Sequence, residues 1–413
     1  MWRKFYTLAI LLLPSLLPRA QEKTDPWLDQ LLRQHASPFL KQVLDQPDSF
    51  QYQLIYTQID RSISGRPHFK NYYLHVNKHR YFNPASTVKM PLAFLALEKL
   101  NELNIKGVDK HTPMLTDSSF EAQSRVWKDT SAANGLPSIA QYIRKIFLVS
   151  DNDAYNRLYE FIGQETINRK LWQKGYRDTR ITRRFVRMTE EQNRHTNAIR
   201  FMNGDQLIYA QAPAYSRAVF DTSRKLLVGR AHYNRNDQLI QSPMDFTTHN
   251  NFPLEDQQQI LQSVLFPESV PAKKRFKLKD DDYKFLYHYM SAYPSESRFP
   301  TYDTSEYFDS YTKFFLFKSG RTVPPHIRVF NKTGWSYGFL TDAAYIVDFK
   351  NKVEFMLTGV IYVNRDGILN DNKYEYEEIG YPFFKEVGNI IYQYELNRHR
   401  KVAADLTKFE RIR

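Results

Sequence analysis

Strand-like segments lie towards both ends of this chain, with a long and mainly helical stretch between them. Residues 51–60 and 68–77 are rich in Tyr, Ile, Leu and Val, and they flank a turn-like Ser-Ile-Ser-Gly-Arg-Pro sequence. Three more strand-like segments follow at 327–333, 343–349 and 353–363. Because an isolated pair of strands is only marginally stable, we predict that all five form one antiparallel sheet, so that the chain folds back across its helical middle.

Apolar residues at helical spacing mark the remaining segments. The pattern over 26–46 predicts a helix with one apolar face, and the segment after Pro84 is apolar around most of its circumference, which predicts a buried helix. Further helices are predicted over 139–147, 152–161 and 383–394. The predicted fold class is α+β, with a five-stranded antiparallel sheet flanked by N- and C-terminal helices and an inserted helical lobe.

The ends and the middle of the chain differ in composition. Residues 1–20 combine early basic residues, an apolar run and a small residue at Ala20, which predicts a secretory signal and an exported protein, periplasmic or secreted; a retained membrane anchor is the alternative. The predicted regions are a signal peptide at 1–20, an α/β subdomain at 21–85 plus 325–400, a helical subdomain at 86–324 with an aromatic-rich insertion at about 198–325, and a loosely held polar tail at 401–413. The aromatic residues of the insertion either fill a second small core or extend a binding groove.

Composition limits the classes of function. The chain contains no cysteine and therefore no disulfide. With 413 residues, of which 42% are hydrophobic, it can bury a sufficient core without disulfides. The formal net charge of +13 is carried by dispersed basic residues, and with the predicted export it argues against nucleic-acid binding. The histidines do not group with acids at ligand spacing, so we expect no metal or other cofactor. We also expect a monomer without a stable membrane span after signal cleavage.

The first chemical motif is Ser86-Thr87-Val88-Lys89, directly after Pro84. This position predicts Ser86 in the first turn of the buried helix, where unpaired backbone N–H groups and the positive end of the helix dipole face its hydroxyl. Lys89 then lies one turn further on the same face, where a desolvated, neutral amine can accept the serine proton. The alternative is an ordinary serine cap followed by a solvated lysine.

The second motif, Ser150-Asp151-Asn152, falls between two predicted helices. A loop at this position can aim the Ser150 hydroxyl at the nucleophile and the Asn152 amide at a substrate amide, while Asp151 binds backbone groups of the loop. Capping of the following helix is an equally good chemical reading.

The third motif, Lys332-Thr333-Gly334, ends a predicted strand. The Lys332 ammonium and the Thr333 hydroxyl can hold a substrate carboxylate, and Gly334 lets the substrate backbone approach. The backbone N–H groups of Trp335 and Ser86 would then form an oxyanion hole. The alternative is a charged residue that protects an edge strand from aggregation.

Second copies of two motifs show how weak each pattern is alone. Ser310-Tyr311-Thr312-Lys313 repeats the serine and lysine spacing, and Lys318-Ser319-Gly320 repeats the third motif. The first copy is followed by a β-like run rather than a buried helix, so we interpret it as structural.

The order and spacing of the three motifs resemble those of class A β-lactamases and the related penicillin-binding transpeptidases and carboxypeptidases. The sequence Lys332-Thr333-Gly334-Trp335-Ser336-Tyr337-Gly338 extends the likeness and favours Lys332 over Lys318. Position by position, the resemblance implies Ser86 as acylated nucleophile, Lys89 as its base, Ser150 as proton relay, Asn152 as ligand of the substrate amide, and Lys332 with Thr333 as carboxylate clamp.

The function that this resemblance implies is hydrolysis of β-lactam amides through an acyl-enzyme at Ser86. A D-Ala-D-Ala carboxypeptidase or transpeptidase acting on cell-wall peptides is the enzymatic alternative, and a non-catalytic penicillin-binding sensor module is the other. Class A enzymes carry a glutamate that activates the deacylating water and an asparagine four residues later. Glu190 and Glu191 lie in about the right stretch, but neither has an asparagine at that offset, so the sequence leaves open whether either serves deacylation.

Overall fold

The computed structural model describes residues 22–410, and the predicted signal peptide at 1–20 lies outside the described residues. The helices are α1 (Pro26–His35), α2 (Pro38–Leu44), α3 (Pro47–Phe50), α4 (Lys89–Leu103), α5 (Ile139–Val149), α6 (Asn152–Ile162), α7 (Gln164–Gln173), α8 (Glu190–Arg194), α9 (Leu254–Leu265), α10 (Asp280–Ser291), α11 (Tyr381–Asn397) and α12 (Thr407–Glu410). The strands are β1 (Gln53–Arg61), β2 (Pro67–Leu74), β3 (Met114–Thr116), β4 (Ile199–Asn203), β5 (Gln206–Gln211), β6 (Leu227–Val228), β7 (Ala231–Tyr233), β8 (Leu239–Ile240), β9 (Met244–Asp245), β10 (Ile327–Ser336), β11 (Phe339–Asp348), β12 (Val353–Tyr362) and β13 (Ile368–Leu369).

One five-stranded sheet unites the two ends of the chain. Its strand order is β10-β11-β12-β1-β2, and every neighbouring pair is antiparallel. The predicted α+β fold, with early and late strands in a single sheet, is therefore confirmed. Strand β10 is therefore an edge strand of this sheet, and the third motif lies on it.

The two faces of the sheet carry separate apolar cores. Leu28 of α1 and Phe384 of α11 belong to the core on one face. Phe94 of α4 and Ile260 of α9 belong to the core on the other face, which also contains Tyr345 of β11. The terminal helices thus cover one face, and the helical lobe predicted between the strands covers the other.

The prediction of a single helix over 26–46 is wrong, because the first helix ends at His35. Ser37 has an extended backbone, and its hydroxyl accepts a hydrogen bond from the Leu40 N–H at 3.2 Å, which starts α2. Pro38 explains the break, since proline lacks an N–H and disfavours helical geometry in the residue before it. The apolar periodicity continued across this break and concealed it.

The aromatic residues of the insertion do not form one second core. Phe266 and Tyr287 join the core under the helical lobe, Phe314 joins the core of the terminal helices, and Phe246 belongs to a small third cluster at one end of the sheet. The expectation of a loosely held tail is also wrong for its described part, because Phe409 is only 2% exposed and packs on core rings. No helix within residues 22–410 is long and apolar enough to cross a membrane.

Candidate active site

Ser86 lies in a short 3-10 turn, Ala85–Val88, that leads directly into α4. Ala85 has a φ of 44°, a left-handed conformation that is unfavourable for a residue with a Cβ. The Asn83 side chain supports it by accepting a hydrogen bond from the Ala85 N–H at 2.8 Å. Strain of this kind persists only where the surroundings hold it, and here it sets the direction in which Ser86 points.

Lys89 is fully buried beneath Ser86. Its Nζ lies 2.6 Å from Ser86 Oγ, 2.8 Å from Asn152 Oδ1 and 3.4 Å from Ser150 Oγ. The Phe185 ring covers another side of the amine, with its centroid 4.1 Å from Nζ. Among the described residues, the hydrogen-bond partners of this amine are therefore uncharged side chains.

Burial and a neighbouring cation weaken the binding of a proton by Lys89. Burial lowers the pKa of Lys89 well below its usual value, and the Lys332 ammonium lowers it further, while Asp151 opposes both effects. Both effects favour the neutral amine over the ammonium form. It can accept a proton from the serine hydroxyl that it touches.

The loop between α5 and α6 brings the second motif to this amine. Ser150 ends α5 with a φ of 63°, again left-handed and strained for a residue that is not glycine. Asp151 starts α6 by accepting a hydrogen bond from the Ala154 N–H at 2.8 Å. The capping alternative is thus correct for Asp151, and the cap holds Ser150 and Asn152 against Lys89.

Strand β10 supplies a second buried lysine. Lys332 Nζ donates to Ser150 Oγ at 2.9 Å and to the Thr333 carbonyl oxygen at 2.8 Å. Burial lowers the pKa of Lys332 to about 7, with Asp342 and Lys313 acting in opposite directions. The side chain of Thr333 is also buried, and its Oγ1 has no hydrogen-bond partner among the described residues. A buried hydroxyl without a partner is costly in free energy.

Gly334 lets the edge of β10 come into contact with the Ala85–Val88 turn that carries Ser86. A Cβ at this position would lie 2.7 Å from the Ser86 backbone nitrogen and 2.8 Å from the Pro84 carbonyl oxygen. The predicted reason for this glycine, room for the substrate backbone, is therefore incomplete, because the backbone of Ser86 already occupies the adjacent space. Trp335 follows on the same edge, and its half-buried ring packs edge-on against Tyr311 with a centroid distance of 5.9 Å.

The structure brings most of the predicted site residues together. Ser86, Lys89, Ser150, Asn152 and Lys332 form a continuous set of hydrogen bonds, and Thr333, Gly334 and Trp335 lie on the adjoining strand edge. Their chemical roles stay predictions.

Glu190 and Glu191 lie instead in the first turn of the short helix α8, and both are exposed. Glu191 contacts His195 at 3.2 Å and Tyr215 at 3.3 Å rather than the lysine of the site.

Sequence reasoning missed two residues of the site. Phe185 was missed because an aromatic residue in a predicted loop carries no chemical pattern, and only its position over Lys89 gives it meaning. Asn83 was missed because it precedes the first motif, although an asparagine next to Pro84 is a recognisable turn signal.

The second motif copies have structural surroundings. Lys313 donates to two backbone carbonyl oxygens and to Asn331, and it is fully buried away from Ser86. Lys318 donates to the Tyr311 carbonyl oxygen at 2.8 Å and lies among aromatic rings. The interpretation of Ser310 and Lys313 as structural agrees with these contacts.

Comparisons with known proteins point to the same family as the three motifs. Residues 41–218 match the model of a family described as the β-lactamase enzyme family, which confirms the resemblance to β-lactamase-like serine hydrolases over that region. No curated protein matches the chain.

Among solved structures, a β-lactamase from Sphaerobacter thermophilus is 14% identical, with 85% of this chain and 93% of that chain covered and a TM-score of 0.43. A β-lactamase from Xanthomonas campestris pv. campestris is 14% identical, with 88% and 98% covered and a TM-score of 0.46. A mutant of PBP-A, solved as an acyl-enzyme complex with penicillin G, is 14% identical, with 88% and 96% covered and a TM-score of 0.45. With TM-scores this low, the three likenesses support no conclusion about this chain.

Proposed function

We propose that this protein is a penicillin-binding serine acyl-transfer enzyme, exported to the periplasm or secreted, whose Ser86 is acylated by β-lactams and by the D-Ala-D-Ala ends of cell-wall peptides. One observation carries the proposal: a fully buried lysine amine lies 2.6 Å from the Ser86 hydroxyl and has uncharged hydrogen-bond partners. This pairing provides a nucleophile with its base already in contact.

Acylation follows from the hydrogen bonds of the site. Lys89 removes the proton of Ser86 while Oγ forms a bond with the carbonyl carbon of the substrate amide. As the tetrahedral intermediate collapses, the carbon–nitrogen bond breaks, and the proton passes from Lys89 through the Ser150 hydroxyl to the leaving nitrogen. The distances from Lys89 and Lys332 to Ser150, 3.4 and 2.9 Å, support such a relay.

The strand edge supplies the binding groups for a substrate with a carboxylate. The partnerless Thr333 hydroxyl and the Lys332 ammonium offer two donors to that carboxylate. Gly334 approaches the Ser86 nitrogen closely, which supports the expectation that the N–H of the next residue, Trp335, and the Ser86 N–H together stabilise the oxyanion. Loss of one such donor typically costs about 3 kcal/mol of transition-state stabilisation.

Deacylation distinguishes between the two enzymatic candidates. A fast β-lactamase needs a base for the attacking water. In this protein the Phe185 ring lies over the Lys89 amine, and Glu190 and Glu191 lie elsewhere, on an exposed helix. An acyl-enzyme without such a base is long-lived, which favours the penicillin-binding peptidase or transpeptidase. Hydrolysis of β-lactams remains the second candidate, and the family match over residues 41–218 favours it.

Intact-mass spectrometry after exposure to benzylpenicillin tests the proposal. We expect one stable adduct on the wild-type protein and none on Ser86→Ala. The matched control is Ser310→Ala, which removes the serine of the second motif copy and should keep the adduct. Repeated turnover of a chromogenic cephalosporin by each Ser86 would establish the β-lactamase instead. If the wild-type protein forms no adduct and no product, the acyl-enzyme proposal is refuted and a binding module remains.

A further inference from the structure

Three arginines of the loop between α7 and α8 differ in how their side chains are paired. Arg184 forms an ion pair with Glu160 at 3.1 Å, and Arg180 donates to three backbone carbonyl oxygens. The half-buried side chain of Arg183 donates from Nη1 to His249 Nε2, and among the described residues it has no other hydrogen bond and no ion pair with a carboxylate. A guanidinium offers five donors, so most of those of Arg183 have no acceptor in the described chain.

One set of contacts connects Arg183 to the proposed base. The Tyr155 hydroxyl donates to the Arg183 carbonyl oxygen at 3.0 Å, and the Tyr155 ring packs edge-on against Phe185 with a centroid distance of 4.8 Å. Phe185 in turn covers the Lys89 amine. The backbone of Arg183 is therefore held two residues before the ring that covers Lys89.

A second set of contacts connects the Arg183 side chain to the end of β10. The ring of its partner His249 has its centroid 4.8 Å from that of Phe246, and the Phe246 centroid lies 5.1 Å from that of Tyr337. Tyr337 directly follows the last residue of β10 and comes three positions after Gly334. Both sets of contacts lead to the active site, so Arg183 lies at its border.

The order of residues along β10 indicates on which side of the nucleophile this border lies. The proposed carboxylate clamp precedes Gly334, whose added Cβ would lie 2.7 Å from the Ser86 nitrogen. Tyr337 follows Gly334, roughly 10 Å further along the chain. The clamp and Tyr337 therefore lie on opposite sides of Ser86. A substrate whose leaving group is held by the clamp would extend its acyl group towards Tyr337 and Arg183.

The hydrogen-bond partner of Arg183 leaves its charge unbalanced. Because a guanidinium only donates, His249 Nε2 must accept, and the ring proton then lies on Nδ1. Burial, together with the Arg183 cation, lowers the pKa of His249 to about 3, so this ring is neutral. Asp245 pairs with Lys225 at 3.6 Å instead, and Glu190 lines a cavity together with Arg183 without forming an ion pair with it in the part of the chain that the structure describes.

We propose that Arg183 binds a second anionic group of the substrate, a carboxylate on the acyl side of the scissile amide. The planar guanidinium suits this ligand, because two of its N–H groups can meet both carboxylate oxygens. The substrates selected in this way carry two carboxylates, one held by the clamp and one by Arg183. The selection among substrates rests on the proposed function, whereas anion binding by Arg183 does not.

Three penicillins that differ at one carbon of the acyl group test the selection. Carbenicillin carries a carboxylate at this carbon, ampicillin an amine and benzylpenicillin only hydrogen. We expect Arg183→Gln to lower the acylation rate constant about 10-fold more for carbenicillin than for benzylpenicillin, because a charge-assisted hydrogen bond is lost. At a pH of about 6, where an α-amino group is protonated, the same substitution should favour ampicillin over benzylpenicillin, because a repelling charge is removed. A residue that only held the loop in place would change all three rate constants together.

Arg177→Gln is the matched control, because Arg177 is exposed in the same loop and its substitution removes the same charge. It should leave the ratios of the rate constants unchanged. Arg183→Lys keeps the charge but loses the planar pair of donors, so its preference for carbenicillin should be intermediate. If Arg183→Gln does not fold, the partial loss in Arg183→Lys decides. Unchanged ratios in the folded Arg183 variants would overturn the proposal.

NMR of isotope-labelled arginine side chains measures anion binding without acylation. The Arg183 Nε–H signal is assigned by its loss in Arg183→Gln, and the full chain is titrated with phenylmalonate, the free acid of the carbenicillin acyl group. We expect a saturable shift of this signal with phenylmalonate and none with uncharged phenylacetamide. No shift with phenylmalonate would overturn the proposal. A shift in a protein that penicillins do not label would support the anion site and refute the acylation mechanism.

Discussion

Substitution of Gly334 by alanine tests the contact on which the site depends. The added Cβ would lie 2.7 Å from the Ser86 nitrogen, 2.8 Å from the Pro84 carbonyl oxygen and 3.0 Å from the Thr87 nitrogen. All three are backbone atoms, so no flexible side chain can give way. To restore ordinary van der Waals contact, strand β10 and the Ala85–Val88 turn must separate by about 0.7 Å.

This separation has two measurable consequences. Overpacking of this kind typically destabilises a protein by about 1 to 3 kcal/mol, which urea denaturation would record. A displacement approaching 1 Å at a reacting centre typically costs about 100-fold in rate, so the second-order rate constant for penicillin acylation should fall by about that factor. The loss of rate should exceed what partial unfolding explains, because the folded fraction stays near one.

Gly320→Ala is the matched control, because Gly320 ends the second copy of the motif and a Cβ there would meet nothing within 4 Å. We expect both its stability and its acylation rate to stay close to those of the wild-type protein. If the Gly334→Ala variant is acylated at the wild-type rate, acylation does not require the close contact between β10 and the Ala85–Val88 turn. The oxyanion geometry inferred from that contact would then be wrong.

Substitutions at three other positions probe the chemistry. Phe185→Glu places a carboxylate beside Lys89 and should shorten the lifetime of the penicillin adduct by about 100-fold, whereas Phe185→Leu should not; equal lifetimes would contradict the deacylation argument. Lys89→Met should slow acylation by about 100-fold or more, because it removes the proposed base. The melting temperature should not fall, because the substitution also removes a buried amine. A retained acylation rate would exclude Lys89 as the base. Because the pKa of Lys332 is lowered to about 7, its charge is present below that pH and lost above it, so acylation by a penicillin carboxylate should decline as pH rises through 7. Lys332→Ala should abolish this decline and weaken reaction with the carboxylate form about 10-fold more than with its ester; equal losses would exclude the clamp.

Most of the fold could be predicted because its elements carry strong local patterns. The late strands are rich in apolar residues and buried along their whole length, and the predicted 343–349 and 353–363 correspond to β11 and β12 within a few residues. The N-terminal helix was predicted too long because apolar spacing continues across Pro38. The tail was misjudged because its few apolar residues, such as Phe409, show their importance only through the cores that they complete.

The candidate site could likewise be predicted only in part from the sequence. Ser86 with Lys89 could be located from the sequence because both belong to one turn, where spacing determines their proximity. The separation of Glu190 and Glu191 from Lys89 could not be predicted, because both lie at a plausible distance along the chain but on an exposed helix. The lowered pKa of Lys332 could not be predicted either, because its main cause is burial, which no spacing rule gives.

The sequence by itself determined the candidate reactive groups of this protein, their order, and most of the helices and strands that carry them, since these follow from residue chemistry and periodicity over short distances. Only the tertiary structure decided how closely Gly334 approaches Ser86 and which ring covers Lys89. Those features arise from packing between segments that are far apart along the chain. Burial then lowers the pKa values of Lys89 and Lys332, because desolvation depends on everything that surrounds an amine and not on its neighbours in sequence.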